Sequence, residues 1–360
     1  MYHNPTARTF RSTSSIAPAV LDFHKTLPSY AATPLLRLPN TFSTSLGLSS
    51  VFLKDESNRF GLPAFKILGA PWACYRTIIK KLALSPTASL QDIAAAARGR
   101  EIRFHAATDG NFGRAVARMA GTVGVESRIY VPRIMVEETK RLIGSEGAEV
   151  VVAGGDYNDA VKTAAQGAEE DNGRLGLLVQ DDAWEGYEEV PQWVVDGYSS
   201  MMLEIDEQMH DAVEKSPDMV VVPVGVGSLA QAVVVHFKSK DQSPMVVTVE
   251  PDTAACLKTS LEAGHRVTIE TGDTNMCGMN CGSVSFLAWP YLRDGVDASV
   301  TVTDEESSRA LQTLRDMGIS TGPCSAGTLA ALLKVCERDS STLGLTAASN
   351  VVILGTEGPR

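Results

Sequence analysis

Histidine is scarce in this chain, six in 360 residues, and none sits in the His-Glu-x-x-His spacing that builds a zinc site on a helix face. The six cysteines (Cys74, Cys256, Cys277, Cys281, Cys324, Cys336) form no CxxC pair, and Cys277 with Cys281 lacks a second pair at zinc-finger spacing. No metal is expected, and scattered thiols point to a reducing, cytoplasmic setting. Positive charge is also short. Against 43 Asp and Glu stand 32 Lys and Arg, a net charge of −11, which argues against a nucleic-acid or anionic membrane surface. No apolar run approaches the roughly eighteen residues needed to span a bilayer. No segment repeats with a period of roughly 20 to 50 residues, so a solenoid is excluded. The chain up to Ser15 has no acidic residue and carries Arg8 and Arg11, a composition like that of a transit peptide. It has no apolar core for secretion, and an ordinary N-terminal arm is the preferred reading.

What the chain does have is the usual globular balance, 44% hydrophobic and 21% charged residues. Its length suggests about two domains. Short β-branched runs alternate with longer helical patterns. Strands are predicted at 50–54, 102–107, 128–131, 149–152, 177–180, 219–224, 245–250 and 350–354. Several are apolar throughout, as strands covered on both faces of a parallel sheet must be. Helices are predicted at 112–123, 156–170, 230–237 and 305–317, the last with Asp304 and Glu305 at its positive end and Gly318 as a stop. The class is α/β. This many strands strains one open sheet, so two parallel-sheet domains are expected. The large one takes residues 1–79 and 201–360. The smaller one, 80–200, is inserted into it, with the polar stretch 85–99 and the acidic stretch 185–215 as crossing points.

Three segments carry chemistry. In the first, a strand ends in the charged run KDESNRFGLPAFK, residues 54–66, and a helix begins near Pro63 with Lys66 in its first turn. A positive helix end and apolar neighbours favour the neutral amine that forms imines, although a lone lysine is more often simply solvated. In the second, Thr108, Asp109, Gly110 and Asn111 follow an apolar strand and precede a helix. Backbone N–H groups there could hold a carboxylate, and an ordinary strand-to-helix turn uses the same residues. In the third, Gly225, Val226, Gly227, Ser228 and Leu229 lie between a strand and a helix. That arrangement either cradles a phosphate or makes a tight turn. It is neither a Walker A loop nor a complete dinucleotide fingerprint.

Taken in order, the segments resemble the fold-type II pyridoxal-phosphate enzymes, the group of threonine dehydratase and cysteine synthase, and within it the diaminopropionate ammonia-lyases. Residues 27–35 (LPSYAATPL) resemble the family's leading segment, 54–66 its lysine motif, 108–113 (TDGNFG) its asparagine loop and 179–187 (VQDDAWEGY) its QD–AWEGY signature. The 225–229 loop falls where the phosphate loop belongs, 276–282 resembles a glycine-cysteine loop, and 356–358 (TEG) resembles the last cofactor-contacting turn. The resemblance runs over nearly the whole chain, and the lysine and AWEGY motifs are its most specific parts. Two departures stand out. Phe112 takes the place of a His in the asparagine loop, and 321–327 (TGPCSAG) replaces a Gly-Glu-Ser-Gly-like pattern.

The resemblance implies pyridoxal 5'-phosphate bound between two domains and held as an imine on Lys66. Asn111 would hold the ring hydroxyl, and Gly225, Val226, Gly227, Ser228 and Leu229 the phosphate. Thr356 would face the pyridine nitrogen, where a hydroxyl suits elimination over transamination. Thr108, Asp109 and Gly110 would receive the substrate. Asp109 and Asp181 would serve as bases on opposite faces, one for each enantiomer, in the elimination of 2,3-diaminopropionate to pyruvate and ammonia. Asp109 also suits a second amino group through a charge-assisted hydrogen bond. On its own, Asp181 reads as a strand-end cap before a helix at Trp184. Dehydration of serine or threonine, β-replacement, and a non-catalytic ligand-binding descendant stay open as alternatives. The partners implied are a small amino acid and a second copy in a homodimer, with no nucleic acid and no membrane.

Overall fold

The β-branched runs become strands of two sheets in a computed structural model that describes residues 1–14, 19–108 and 110–359. The first unit comprises Met1–Phe65 and Tyr198–Arg360. Its seven-stranded sheet runs Tyr2–His3, Ala298–Val302, Met245–Pro251, Met219–Pro223, Asn350–Gly355, Ser50–Asp55, Leu35–Arg37 from edge to edge. The inner strands are parallel and both edge strands antiparallel. A strand covered on both faces needs apolar residues in succession, and Met219–Pro223 and Asn350–Gly355 are buried from end to end. Val51, Leu53, Val221, Val247, Val351 and Ile353 share one core with Leu329 and Leu332 of the Pro323–Arg338 helix. Sequence periodicity misses three strands of this sheet. The two edge strands are only two and three residues long. Ala298–Val302 interrupts its apolar residues with Ser and Thr.

The second unit, Lys66–Gly197, holds a four-stranded sheet, all parallel, in the order Glu149–Val152, Glu126–Val131, Ile102–Ala107, Leu175–Leu178. The last strand stops at Leu178 rather than at the predicted residue 180. The Gln180 N–H leaves the ladder and donates instead to the Tyr187 hydroxyl at 3.0 Å. Trp184 begins no helix. It forms an antiparallel bridge with Tyr187, their rings stacked at 4.4 Å, and the next helix is Glu189–Gly197. The Tyr157–Glu169 helix starts where Asp156 accepts the Asp159 N–H, a capping box legible in the sequence.

Composition sets domain boundaries at 79/80 and 200/201, whereas the units divide at 65/66 and 197/198. At the first boundary the reason is the Lys66–Lys81 helix, which packs on Asn111–Val123 and Glu189–Gly197 of the second unit. That helix begins at Lys66, not near Pro63. Ala64 is bridged to Glu357, and the Phe65 N–H donates to the Thr356 carbonyl at 3.3 Å, so neither is available to a helical turn. Among the described residues no helix is long and apolar enough to cross a membrane, and no cluster of metal-binding side chains occurs.

Candidate active site

Within the second unit, Lys66 is the first residue of its helix and its Nζ donates to Asp181 Oδ2 at 2.8 Å. The pair is 115 residues apart in sequence and only partly screened by water, with side chains 23% and 7% exposed. Asp181 is held from behind. Its Oδ1 accepts from Gln180 Nε2 at 3.3 Å and from the Tyr157 hydroxyl at 3.5 Å, and Gln180 Nε2 also donates to that hydroxyl at 2.7 Å. Gln180 in turn accepts the Ala107 N–H at 3.0 Å, tying the end of one strand to the end of the next. Burial pushes the Tyr187 hydroxyl far up, so it stays protonated and donates to the Leu178 carbonyl. Two carboxylate oxygens with these three contacts make a carboxylate of fixed direction, which a general base requires. Asp181 is thus not a helix cap, and Gln180 and Tyr157 are site residues that sequence reasoning did not single out. Tyr157 lies at the start of a helix far along the chain, and no local pattern announces it.

The 108–113 loop of the same unit is shaped by Thr108. Its Oγ1 accepts the N–H groups of Gly110 and Gly113 at 2.9 and 3.0 Å. Gly113 cannot be larger, because a Cβ there would stand 2.5 Å from Thr108 Cγ2 and 2.6 Å from Ile129 Cγ2. Gly110 precedes the Asn111–Val123 helix, and no side chain caps that helix. Asp109 lies outside the described residues. Phe112, buried beneath the loop, presents its ring to Lys66 Nζ at 5.8 Å from the ring centroid.

In the first unit, Gly225 and Gly227 flank Val226 at the end of a buried strand, and Ser228 and Leu229 open the Ser228–Phe237 helix. Gly227 has φ +98°, where a side chain is strained, and a Cβ would stand 2.8 Å from Leu292. No side chain caps the helix, so its leading N–H groups and dipole are directed at this loop. Such a terminus suits a phosphate. Thr356 follows the Asn350–Gly355 strand and is buried. The segment 321–325, whose sequence departs from the family pattern, latches this turn. Ser325 Oγ accepts the Glu357 N–H and donates to its carbonyl, both at 3.1 Å, and Glu357 Oε1 accepts the Cys324 N–H at 3.0 Å.

Three charged side chains of the run before Lys66 are shut away from water. Lys54, Glu56 and Arg59 are fully buried. Arg59 forks onto Glu56 at 2.8 and 2.6 Å and onto Glu204 at 2.7 and 2.7 Å, while Lys54 Nζ donates to Glu204, the Thr33 carbonyl and Gln208. Glu204 is the buried partner that the sequence did not announce.

Comparison with known proteins places these features in a family. The profile of the family described as "Pyridoxal-phosphate dependent enzyme" matches residues 26–356. A diaminopropionate ammonia-lyase of Salmonella typhimurium is 33% identical, over 96% of this chain and 89% of its own length. The crystal structure of diaminopropionate ammonia lyase from Escherichia coli in complex with D-serine matches 99% of this chain and 93% of that one, with TM-score 0.88 and 29% identity. The same Escherichia coli enzyme in complex with an aminoacrylate-PLP azomethine reaction intermediate matches 99% and 93%, with TM-score 0.83 and 28% identity.

Proposed function

The chain belongs to the pyridoxal-phosphate dependent enzyme family, and from that premise we propose that it eliminates ammonia from 2,3-diaminopropionate to give pyruvate and ammonia. It is a fold-type II enzyme and a carbon-nitrogen lyase, with pyridoxal 5'-phosphate as its cofactor. The bound cofactor supplies an aldehyde that links to amines and a pyridine ring that takes up electron density from the substrate carbon. Each unit by itself offers a feature of the kind the cofactor needs: in the first an uncapped helix end behind two glycines suits a phosphate, and in the second an amine at the start of a helix suits the aldehyde.

On this reading Lys66 carries the cofactor. Gly225, Val226, Gly227, Ser228 and Leu229 would hold its phosphate, Asn111 the ring hydroxyl and Thr356 the pyridine nitrogen. Thr108, Asp109 and Gly110 would receive the substrate, with the Thr108 hydroxyl shaping the turn by accepting the Gly110 and Gly113 N–H groups. The observation that carries the reading is the Lys66–Asp181 pair, an amine and an oriented carboxylate 2.8 Å apart. Asp181 would take the α-proton on its side and Asp109 the α-proton of the other enantiomer. Assaying pyruvate and ammonia from diaminopropionate, serine, threonine and other β-substituted amino acids tests the assignment. Release from serine or threonine without release from diaminopropionate would favour the dehydratase alternative. We place the enzyme in the cytoplasm as a homodimer, a reading supported by free cysteines and by the commonness of twofold oligomers.

Two results are expected here. Asp181→Asn keeps the shape and removes the basicity, so turnover of L-diaminopropionate should fall by ~100- to 10,000-fold while the D-form is largely spared. Asp109→Asn should abolish turnover of the D-form, and its effect on the L-form measures any additional hold on the β-amine. Steady-state rates on each enantiomer decide the matter, and equal slowing of both by Asp181→Asn sinks the two-base scheme. Gly227→Val puts a β-branched residue at φ +98° with its Cβ against Leu292. Cofactor affinity should drop about tenfold or more while cooperative unfolding persists. An unchanged affinity returns the loop to an ordinary turn.

A further inference from the structure

Phe112 is buried, 1% exposed, at the second position of the Asn111–Val123 helix, and its ring faces the Lys66 ammonium 5.8 Å away. The same ammonium is 2.8 Å from Asp181 Oδ2. It therefore lies between a carboxylate and an aromatic face, two groups that both favour a cation. The neighbouring helix end works against it, because the positive end of the Asn111–Val123 macrodipole repels an ammonium. An aliphatic side chain at 112 would leave Asp181 alone to oppose that repulsion and would desolvate the amine without the ring's compensation.

We propose that Phe112 is a positioning residue for Lys66, its ring holding the amine as an ammonium against Asp181 and so setting the pH at which the lysine becomes free to capture the cofactor. This rests on Lys66 being the cofactor-carrying lysine. Among the described residues, the groups that face the amine include Asp181, with Tyr157 and Gln180 behind it, and the Phe112 ring. The ring carries no proton, so it changes the balance at Lys66 without adding a titration of its own.

The test is the rate at which cofactor-free protein attaches pyridoxal phosphate, followed by absorbance from pH 6 to pH 10 and closed by borohydride reduction and peptide mapping. Only the neutral amine attaches, so the profile reports how strongly the protein holds the ammonium. Phe112→Leu should move the profile to lower pH by roughly 0.5 to 1 unit, a threefold to tenfold faster attachment on its acid side. Phe112→Tyr keeps the aromatic face and should restore the original profile. Asp181→Asn should move it in the same direction as Phe112→Leu. Phe112→Met serves in place of Leu if that variant does not fold. A ring that merely fills the core would cost stability in the Leu and Met variants and leave the profile where it was, which overturns the proposal. Equal displacement by Leu and Tyr overturns it too. A label found on another lysine overturns the reading of Lys66 itself, whereas a label on Lys66 with an unmoved profile overturns the role of Phe112 alone.

Discussion

Lys66→Ala should remove covalent attachment of the cofactor and lower turnover by ~10,000-fold or more, because no neighbouring side chain can replace an amine at the start of that helix. The fold should survive. Alanine is the best helix former, and Asp181 keeps its contacts to Gln180 and Tyr157 after the lysine is gone. The rival amines are poorly placed for the task. Lys54 is fully buried, with its Nζ committed to Glu204, the Thr33 carbonyl and Gln208. Lys140 is paired with Glu137 one turn away on its own helix. Borohydride reduction followed by peptide mapping should therefore place the cofactor on the peptide containing Lys66 and nowhere else. A label on the Lys54 or Lys140 peptide would overturn the assignment.

Arg59→Leu should be the most destabilising single change in the lysine motif, although Arg59 takes no part in the chemistry. Its guanidinium satisfies Glu56 and Glu204 at once, and all three side chains are shut away from water. Without it buried Glu56 loses its counter-charge and Glu204 keeps only Lys54, and breaking a buried pair in this way costs ~3–5 kcal/mol. In a unit of this size each kcal/mol lowers the melting temperature by roughly 2–4 °C, so a fall of about 10 °C is expected. Glu204 sets the pH dependence. Burial pushes its carboxyl up, but Arg59 and Lys54 more than offset this and hold it below the ordinary glutamate value. Its stabilising contribution is therefore complete above that value and drains away as pH falls below it. Thermal melts from pH 3 to pH 7 should show a steeper acid loss in the parent than in Arg59→Leu. Equal melting temperatures for the two proteins at pH 7 would show that the cluster contributes nothing.

Much of this architecture is legible in short windows of sequence. The strands at 102–107 and 149–152 and the helices at 112–123 and 156–170 are found within a residue or so of their predicted limits, because apolar periodicity and capping residues act locally. Other parts are less legible where local and distant demands compete. The helix expected near Pro63 starts at Lys66, because Ala64 and Phe65 are taken by the strand-end turn at Thr356 and Glu357. The strand expected to reach 180 ends at 178, because the Tyr187 hydroxyl claims the Gln180 N–H.

The sequence by itself determined the α/β class, the glycine turn ahead of the Ser228–Phe237 helix and the lysine at a helix start, since each depends on residues close together in the chain. Only the tertiary structure decided that Lys66 faces Asp181, that Phe112 lies under its amine, and that Arg59 is buried between Glu56 and Glu204. The Lys66–Asp181 and Arg59–Glu204 pairs join positions 115 and 145 residues apart. Their strength comes from exclusion of water, which weakens the screening between charges, and burial is a property of the folded core and not of any window of the chain.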